Sequence, residues 1–145
     1  QVEYVGLDEL FARADIITLH APLQASSRHM VNAESIAKMK DGVVLVNTAR
    51  GELVDTAALI DALESGKVGG AALDVLEGEQ AYTFADRRSG RIVSRERAIL
   101  EAMPNVLLTG HYAFYTDQAV SDEVRIALEA LKQFTETGRA DSQII

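Results

Sequence analysis

Val43-Val44-Leu45-Val46 is an unbroken apolar run that ends on the polar residues Asn47, Thr48 and Arg50. A run of aliphatic and β-branched residues without polar alternation is typical of a strand buried on both faces of a parallel sheet. Similar runs recur and are the other predicted strands: Ile16-Ile17-Thr18-Leu19, Gly70-Ala71-Ala72-Leu73 and Val106-Leu107-Leu108. Segments with helical periodicity separate these runs, so the sequence predicts an α/β fold with a parallel sheet.

Capping residues mark where the intervening helices begin and end. A first helix is predicted from Leu7 to Ala14, and Gly66 lies in the C′ position that follows the third helix. The predicted N-caps of the other helices are Asn32, Asp55 or Thr56, Ser94 and Thr116. The last and longest helix carries an apolar stripe of Val120, Val124, Ala127, Leu128, Leu131 and Phe134. Gly78 to Ser94 has no clear period and is predicted to be a long loop, which in a compact domain is often functional.

The composition excludes several classes of protein. With 48% hydrophobic and 25% charged residues, the 145-residue chain resembles an ordinary soluble domain, and its net charge of −8 argues against nucleic acid as a partner. An arginine-rich stretch is interpreted as a solvated loop: Arg87, Arg88, Arg91, Arg95 and Arg97. There is no cysteine, and the three histidines lack HxxxH or HxH spacing, so no metal site is predicted. No apolar run approaches the ~20 residues that span a bilayer, and a cytoplasmic location fits.

The residues that follow the predicted strands form the candidate site, because open α/β sheets bind ligands at the carboxyl ends of their strands. They are His20, Ala21 and Pro22 after the first strand, Asn47 to Gly51 after the second, Asp74, Glu77 and Glu79 after the third, and Thr109 to His111 after the fourth. A guanidinium, carboxylates and imidazoles are therefore expected at one edge of the sheet.

Three of these side chains could carry chemistry. The fork of donors on Arg50 matches a carboxylate, although a structural salt bridge is an alternative. His111 could act as a general acid, or be a histidine satisfied within a turn. Glu79 could hold that imidazole and favour its charged form, or be a solvated surface residue. His29, beside Arg28, is interpreted as a loop residue without a special role.

At these positions the sequence resembles the D-2-hydroxyacid dehydrogenases. The segment 47–55, NTARGELVD, is similar to the family's catalytic-arginine signature, and 69–79, GGAALDVLEGE, to the segment with the catalytic glutamate. The segment 104–111, PNVLLTGH, resembles the one with the catalytic histidine, and 20–23, HAPL, resembles a cofactor-lining turn. The resemblance implies that Arg50 binds the carboxylate of a 2-keto acid, that His111 donates a proton to its carbonyl oxygen, and that Glu79 orients His111 and keeps it protonated.

The resemblance also implies a Rossmann-type domain with NAD as the cofactor. The cofactor-binding residues that it implies are His20, Ala21, Pro22, Ser27, Thr48, Ala49, Arg50, Asp74, His111 and Ala113. Residues 1–116 would be the carboxyl-terminal half of the NAD-binding domain, and 117–145 the returning helix and tail of the substrate domain. A homodimer is expected from the habit of the family.

The long segment after Glu79 and residues 112–116, YAFYT, resemble the D-lactate dehydrogenases, including the type associated with vancomycin resistance, which implies pyruvate as the favoured substrate. Two departures stand out, since Gly110 replaces the family's usual proline and no GxGxxG loop is present. The chain is therefore interpreted as truncated, inactive alone, and oligomeric or marginally stable, because its first strand would be an exposed edge. The alternatives are a non-catalytic NAD-sensing, corepressor-like or dimerisation module of the same fold, and a gene product without function.

Overall fold

The computed structural model describes residues 2–83 and 94–141, and the chain divides into two compact units, residues 1–111 and 112–145. In the described part of the first unit the strands are β1 (Ile16–Leu19), β2 (Val43–Asn47), β3 (Val68–Leu73) and β4 (Val106–Leu108). Its helices are α1 (Leu7–Arg13), α2 (Ala33–Lys38), α3 (Thr56–Glu64) and α4 (Arg95–Ala102), with short 3₁₀ turns at Gly51–Leu53 and Glu79–Ala81. The second unit contains α5 (Asp117–Thr137). The predicted α/β fold with a parallel sheet is confirmed.

The four strands form one parallel sheet in the order β1-β2-β3-β4, and their carboxyl ends lie level. Leu19 pairs with Asn47, Asn47 with Leu73, and Leu73 with Leu108. The four segments that follow these residues therefore begin at the same edge of the sheet.

Burial of the sheet on both faces was expected, and this expectation is wrong for the described residues. One face is buried, with Ile17, Leu45 and Ala71 side by side, whereas on the other face Ile16 is 66% and Leu107 64% exposed. Because the strand order equals the chain order, right-handed crossovers place all the connecting helices on the same side. Consecutive helices accordingly contact each other, α1 with α2, α2 with α3 and α3 with α4.

Local capping explains where the helices begin. The side chain of Asn32 accepts a hydrogen bond from the Ser35 amide, and the Ser35 hydroxyl is the reciprocal partner of the Asn32 amide, which completes a capping box. Asp55 caps α3 through the amides of Ala57 and Ala58. Ser94 and Thr116 cap α4 and α5, as predicted. Gly66 follows the end of α3 with a φ of +77°, the left-handed conformation that favours glycine.

The core lies between the buried face of the sheet and the helix layer. Its largest fully buried side chains are Phe11, Leu45, Leu53, Leu59 and Leu100. Burial of this apolar surface stabilises the fold, at about 1.5–3 kcal/mol for each large side chain.

Helix α5 is amphipathic, as predicted. It begins after Thr116 and ends at Gly138, whose φ of +75° is left-handed. Arg125 pairs with Asp122 at 3.0 Å and with Glu129 at 3.2 Å along one face. The predicted apolar stripe is largely exposed, including Val124, Leu128, Leu131 and Phe134. No helix in the described parts of the chain is long and apolar enough to cross a membrane.

The predicted long loop Gly78–Ser94 begins with the 3₁₀ turn at Glu79, and residues 84–93 lie outside the described residues. The predictions for Arg87, Arg88 and Arg91 therefore lie outside them too. Arg95 and Arg97 are in α4 rather than in a loop, because the Ser94 cap starts the helix directly before them. Arg97 pairs with Glu101 one turn later at 2.7 Å. The proposed division of the chain at residue 116 stays a prediction.

Candidate functional site

The level strand ends bring four polar residues to the carboxyl edge of the sheet. His20, Thr48, Asp74 and Thr109 are the first residues beyond β1, β2, β3 and β4. His20 and Thr48 are exposed, whereas Asp74 is buried. This edge is where open α/β sheets bind their ligands.

Glu79 and His111 form the centre of the site. Nδ1 of His111 lies 2.8 Å from Oε1 of Glu79, whose residue is only 8% exposed. The second carboxylate oxygen of Glu79 accepts a hydrogen bond from the Leu76 amide at 3.1 Å. An ionised carboxylate only accepts hydrogen bonds, so Nδ1 of His111 is the donor to Glu79. The structure thus joins the predicted glutamate and histidine directly.

The backbone of His111 is held by the end of β3. Its φ is +63°, a left-handed value that is uncommon for residues other than glycine. The His111 amide donates to the carbonyl of Asp74 at 2.9 Å, and the hydroxyl of Thr109 donates to the Asp74 carboxylate. Asp74 therefore fixes the turn that presents the imidazole.

Asn47 shapes the turn that carries Arg50. The Asn47 side chain is 1% exposed, accepts from the Ala49 amide at 3.0 Å and donates to the Arg50 carbonyl at 2.9 Å. The exposed guanidinium of Arg50 donates to the Ala49 carbonyl at 2.6 Å. Among the described residues it makes no hydrogen bond with Glu79 or His111. Arg50 thus lies at the same sheet edge as the pair, but its side chain is not joined to them.

Gly51 brings the arginine turn against the glutamate turn. A β-carbon at Gly51 would overlap the carbonyl of Leu76 and the amide nitrogen of Glu77. Only glycine, which lacks a side chain, permits this approach of two backbones. The close approach is made to the segment that leads to Glu79.

The turn after β1 is ordered by its own side chains. The Ser27 hydroxyl donates to the carbonyl of Pro22 at 2.8 Å and accepts from the Gln24 amide at 2.8 Å. The His20 ring lies 2.9 Å from the Thr18 hydroxyl. Ala21, which is half-buried, packs against the core. Ala113 belongs to the second unit. The cofactor roles expected for these residues stay predictions.

Tyr82 follows the glutamate turn and stacks under Arg97. The guanidinium carbon lies 5.0 Å from the ring centre, within the range of a cation–π contact. Burial raises the pKa of the Tyr82 phenol. This contact attaches the start of the long loop to α4.

The sequence placed Asn47 and Thr109 at the edge of the site but did not indicate which groups they support. An asparagine at a strand end is the available signal for the turn that Asn47 shapes. Glu77 lies in contact with both Arg28 and His29, although the sequence interpretation gave these two no special role. No local pattern could reveal that contact, because nearly fifty residues separate the partners.

No group of three or more His, Cys, Asp or Glu residues in the described ranges could hold a metal ion. The site has imidazole, carboxylate and guanidinium groups at the edge of a parallel sheet, the architecture of α/β nucleotide-binding domains.

Comparison with known proteins defines this class further. Residues 1–113 match the model of the D-isomer specific 2-hydroxyacid dehydrogenase, NAD binding domain. The chain belongs to the D-isomer specific 2-hydroxyacid dehydrogenase family, and the NAD cofactor expected from the sequence agrees with that of the matched domain.

The relatives include enzymes that are named for different substrates. An aromatic 2-oxoacid reductase from Clostridium sporogenes is 50% identical over 142 residues, which are 98% of this chain and 43% of that protein. A D-lactate dehydrogenase from Lactiplantibacillus plantarum is 48% identical over 95% of this chain and 42% of its own length. The crystal structure of a D-lactate dehydrogenase from Treponema pallidum superposes with a TM-score of 0.93 at 42% identity, covering 98% of this chain and 43% of that one. The chain therefore spans less than half the length of these relatives.

The residues at the sheet edge fit one half of an NAD molecule. The nicotinamide carboxamide needs polar partners, which Thr48 and Asp74 can supply, and its ring needs apolar surface, which half-buried Ala21 and Ala49 can supply. No GxGxxG loop occurs in this sequence to bind the pyrophosphate. The chain thus contains residues suited to the nicotinamide side.

Proposed function

We propose that this chain supplies the proton-donating and carboxylate-binding groups of an NAD-dependent enzyme that reduces a 2-keto acid to the D-2-hydroxy acid. Pyruvate is the favoured substrate. The single observation that carries the proposal is the hydrogen bond between Glu79 and His111 at the carboxyl edge of the parallel sheet.

His111 is the general acid in this proposal. Its Nδ1 is occupied by the carboxylate of Glu79, so the proton that reaches the substrate carbonyl oxygen leaves from Nε2. Glu79 keeps the ring in one orientation through its hydrogen bond with Nδ1. The left-handed backbone of His111, bonded to Asp74, fixes the position from which the ring projects.

Arg50 is the substrate anchor. Its guanidinium is exposed and is bonded to a neutral carbonyl rather than to a carboxylate, and a planar fork of donors suits the carboxylate of a 2-keto acid. Binding of the substrate carboxylate there holds the adjacent keto group and polarises it. NADH, when bound, supplies the hydride for the keto carbon.

The test is an assay of the full-length protein with NADH and either pyruvate or phenylpyruvate, followed by determination of the configuration of the product. We expect oxidation of NADH that depends on the keto acid, and a product of D configuration. Phenylpyruvate is included because one relative is named an aromatic 2-oxoacid reductase. No turnover with any 2-keto acid would contradict the proposal, whereas a preference for phenylpyruvate would overturn only the choice of pyruvate.

The role of His111 is tested by His111→Asn. Asparagine tolerates a positive φ, so this variant removes the acid while keeping the backbone conformation. Turnover should fall by roughly 10²–10⁴, the usual contribution of a general acid. Glu9→Gln, which removes an exposed ion pair with Arg13 on α1, is the control and should leave turnover unchanged. A loss of less than about tenfold in His111→Asn would remove this residue from the mechanism.

A further inference from the structure

The carboxylate of Glu77 is held by the side chains of an arginine and a histidine from a distant part of the chain. Its Oε1 accepts from Nη2 of Arg28 at 2.7 Å and lies 2.9 Å from Nε2 of His29. The Glu77 side chain is only 27% exposed. These three residues, called here the Glu77 clamp, join the turn after β1 to the segment after β3.

The β1 side of the clamp is held firmly. His29 has a φ of +51°, which residues other than glycine rarely adopt. Its amide donates to the Glu52 carbonyl at 2.9 Å, and its carbonyl accepts from the Asn32 side chain at 2.8 Å. Asn32 is also the N-cap of α2. The imidazole of His29 is therefore presented to Glu77 from a backbone fixed on both sides.

The β3 side of the clamp is continuous with the site. Glu77 stands two residues before Glu79 in a closed turn, in which the Glu79 amide donates to the Leu76 carbonyl at 3.2 Å and the Leu76 amide donates to the Glu79 carboxylate. Gly78 between them has a φ of +74°. Because these two hydrogen bonds close the turn, a movement of Glu77 would also move the carboxylate of Glu79.

We propose that Glu77 is a positioning residue, which fixes the Glu79 turn through Arg28 and His29 and thereby sets the hydrogen bond between Glu79 and His111. The clamp differs from the exposed i,i+4 ion pairs of the helices, which contribute little to the stability of the fold. One carboxylate oxygen here receives two donors, and it joins segments nearly fifty residues apart. This inference rests on the proposed function for its catalytic consequence, but its structural part does not.

The structural part is tested by nuclear magnetic resonance of the full-length protein with histidine labelled by ¹⁵N. The Nδ1 proton of His111, bonded to a buried carboxylate, should give a downfield resonance that exchanges slowly with water. In Glu77→Ala this resonance should broaden or shift, and in the control Glu9→Gln it should remain as in the parent. An unchanged His111 resonance in Glu77→Ala would overturn the proposal.

Kinetics separate positioning from general stability. Glu77→Ala should lower kcat by about tenfold while KM for the keto acid changes less than about twofold, because Arg50 is untouched. Glu77→Gln keeps an acceptor oxygen at the same reach and should restore kcat to within about threefold of the parent. Parent-like kcat in Glu77→Ala, or a loss in Glu77→Gln as large as in Glu77→Ala, would overturn the proposal.

Two further variants keep the test decisive if Glu77→Ala does not fold. Arg28→Gln and His29→Asn each remove one donor, and asparagine tolerates the left-handed backbone at position 29. Both should shift the His111 resonance in the same direction. If the parent protein reduces no 2-keto acid, the proposed function fails, and the resonance experiment alone then decides whether the clamp exists.

Discussion

Gly51→Ala should destabilise the protein severely, although it adds a single methyl group. The added carbon would overlap backbone atoms of Leu76 and Glu77, which cannot rotate away as the end of a flexible side chain could. Overpacking of a core typically costs about 1–3 kcal/mol, and a clash with backbone belongs at the upper end. For a chain of 145 residues, 3 kcal/mol corresponds to a fall in Tm of about 10 °C.

Thermal unfolding followed by circular dichroism measures this effect, with Gly6→Ala as the matched control. A β-carbon at Gly6 meets no atom within 4 Å, so the control should lose at most about 1 kcal/mol through its altered N-cap. A Gly51→Ala variant that melts within about 2 °C of the parent would refute the reasoning, because the two turns could then separate at almost no cost.

Three other predictions test the fold. Asp55→Ala removes the cap of α3 and should lower the free energy of unfolding by about 1 kcal/mol in a urea titration, while Asp55→Asn should retain most of the stability. Phe11→Ala empties a fully buried position and should cost about 3–5 kcal/mol by the same titration, whereas Leu107→Ala, on the exposed face, should cost far less. The hydrogen bond from Lys67 at 2.7 Å lowers the pKa of Asp41, so the carboxylate stabilises the fold at neutral pH and this contribution is lost as pH falls through the lowered value. Asp41→Asn should therefore be less stable than the parent at pH 7, and the difference should vanish in acid once the pH lies below the lowered pKa of Asp41; a difference that persists when this carboxyl is protonated would contradict this assignment.

Local signals predicted the order of the elements. Apolar runs located β1 and β4 to the residue, and capping side chains located the starts of α2, α3, α4 and α5. Both signals lie within a few residues of sequence, and they can therefore be recognised without knowledge of the fold. β3 starts at Val68, two residues before the predicted run, and its pairing with β2 shifts in register between Val43 and Val44.

The exposed face of the sheet was not predictable in the same way. A run such as Val43-Val44-Leu45-Val46 has the same appearance whether one or both faces are covered. What decides the burial of Val44 is the side on which the crossovers lie, and this depends on strand order rather than on composition.

The pairing of Glu79 with His111 was predicted, but the contacts that support these two residues were not. The pairing of Glu79 with His111 was implied by the family resemblance, and the geometry agrees with it. The roles of Asn47, Gly51 and Glu77 depend on atoms brought together by tertiary packing. Such distances cannot be read from a single sequence, so these roles follow only from the three-dimensional structure.

Because the strands end at the same level, the number of residues within each strand is strictly constrained. A one-residue slip of β3 against β2 would carry Asp74 about 3.3 Å along the strand and turn its side chain to the opposite side of the sheet. His111 and Asn47, both bonded to the backbone of Asp74, would lose their partner in the same event. An insertion or deletion within β3 should therefore be far more damaging than one of equal size beyond the end of α5, even though neither alters a residue of the site.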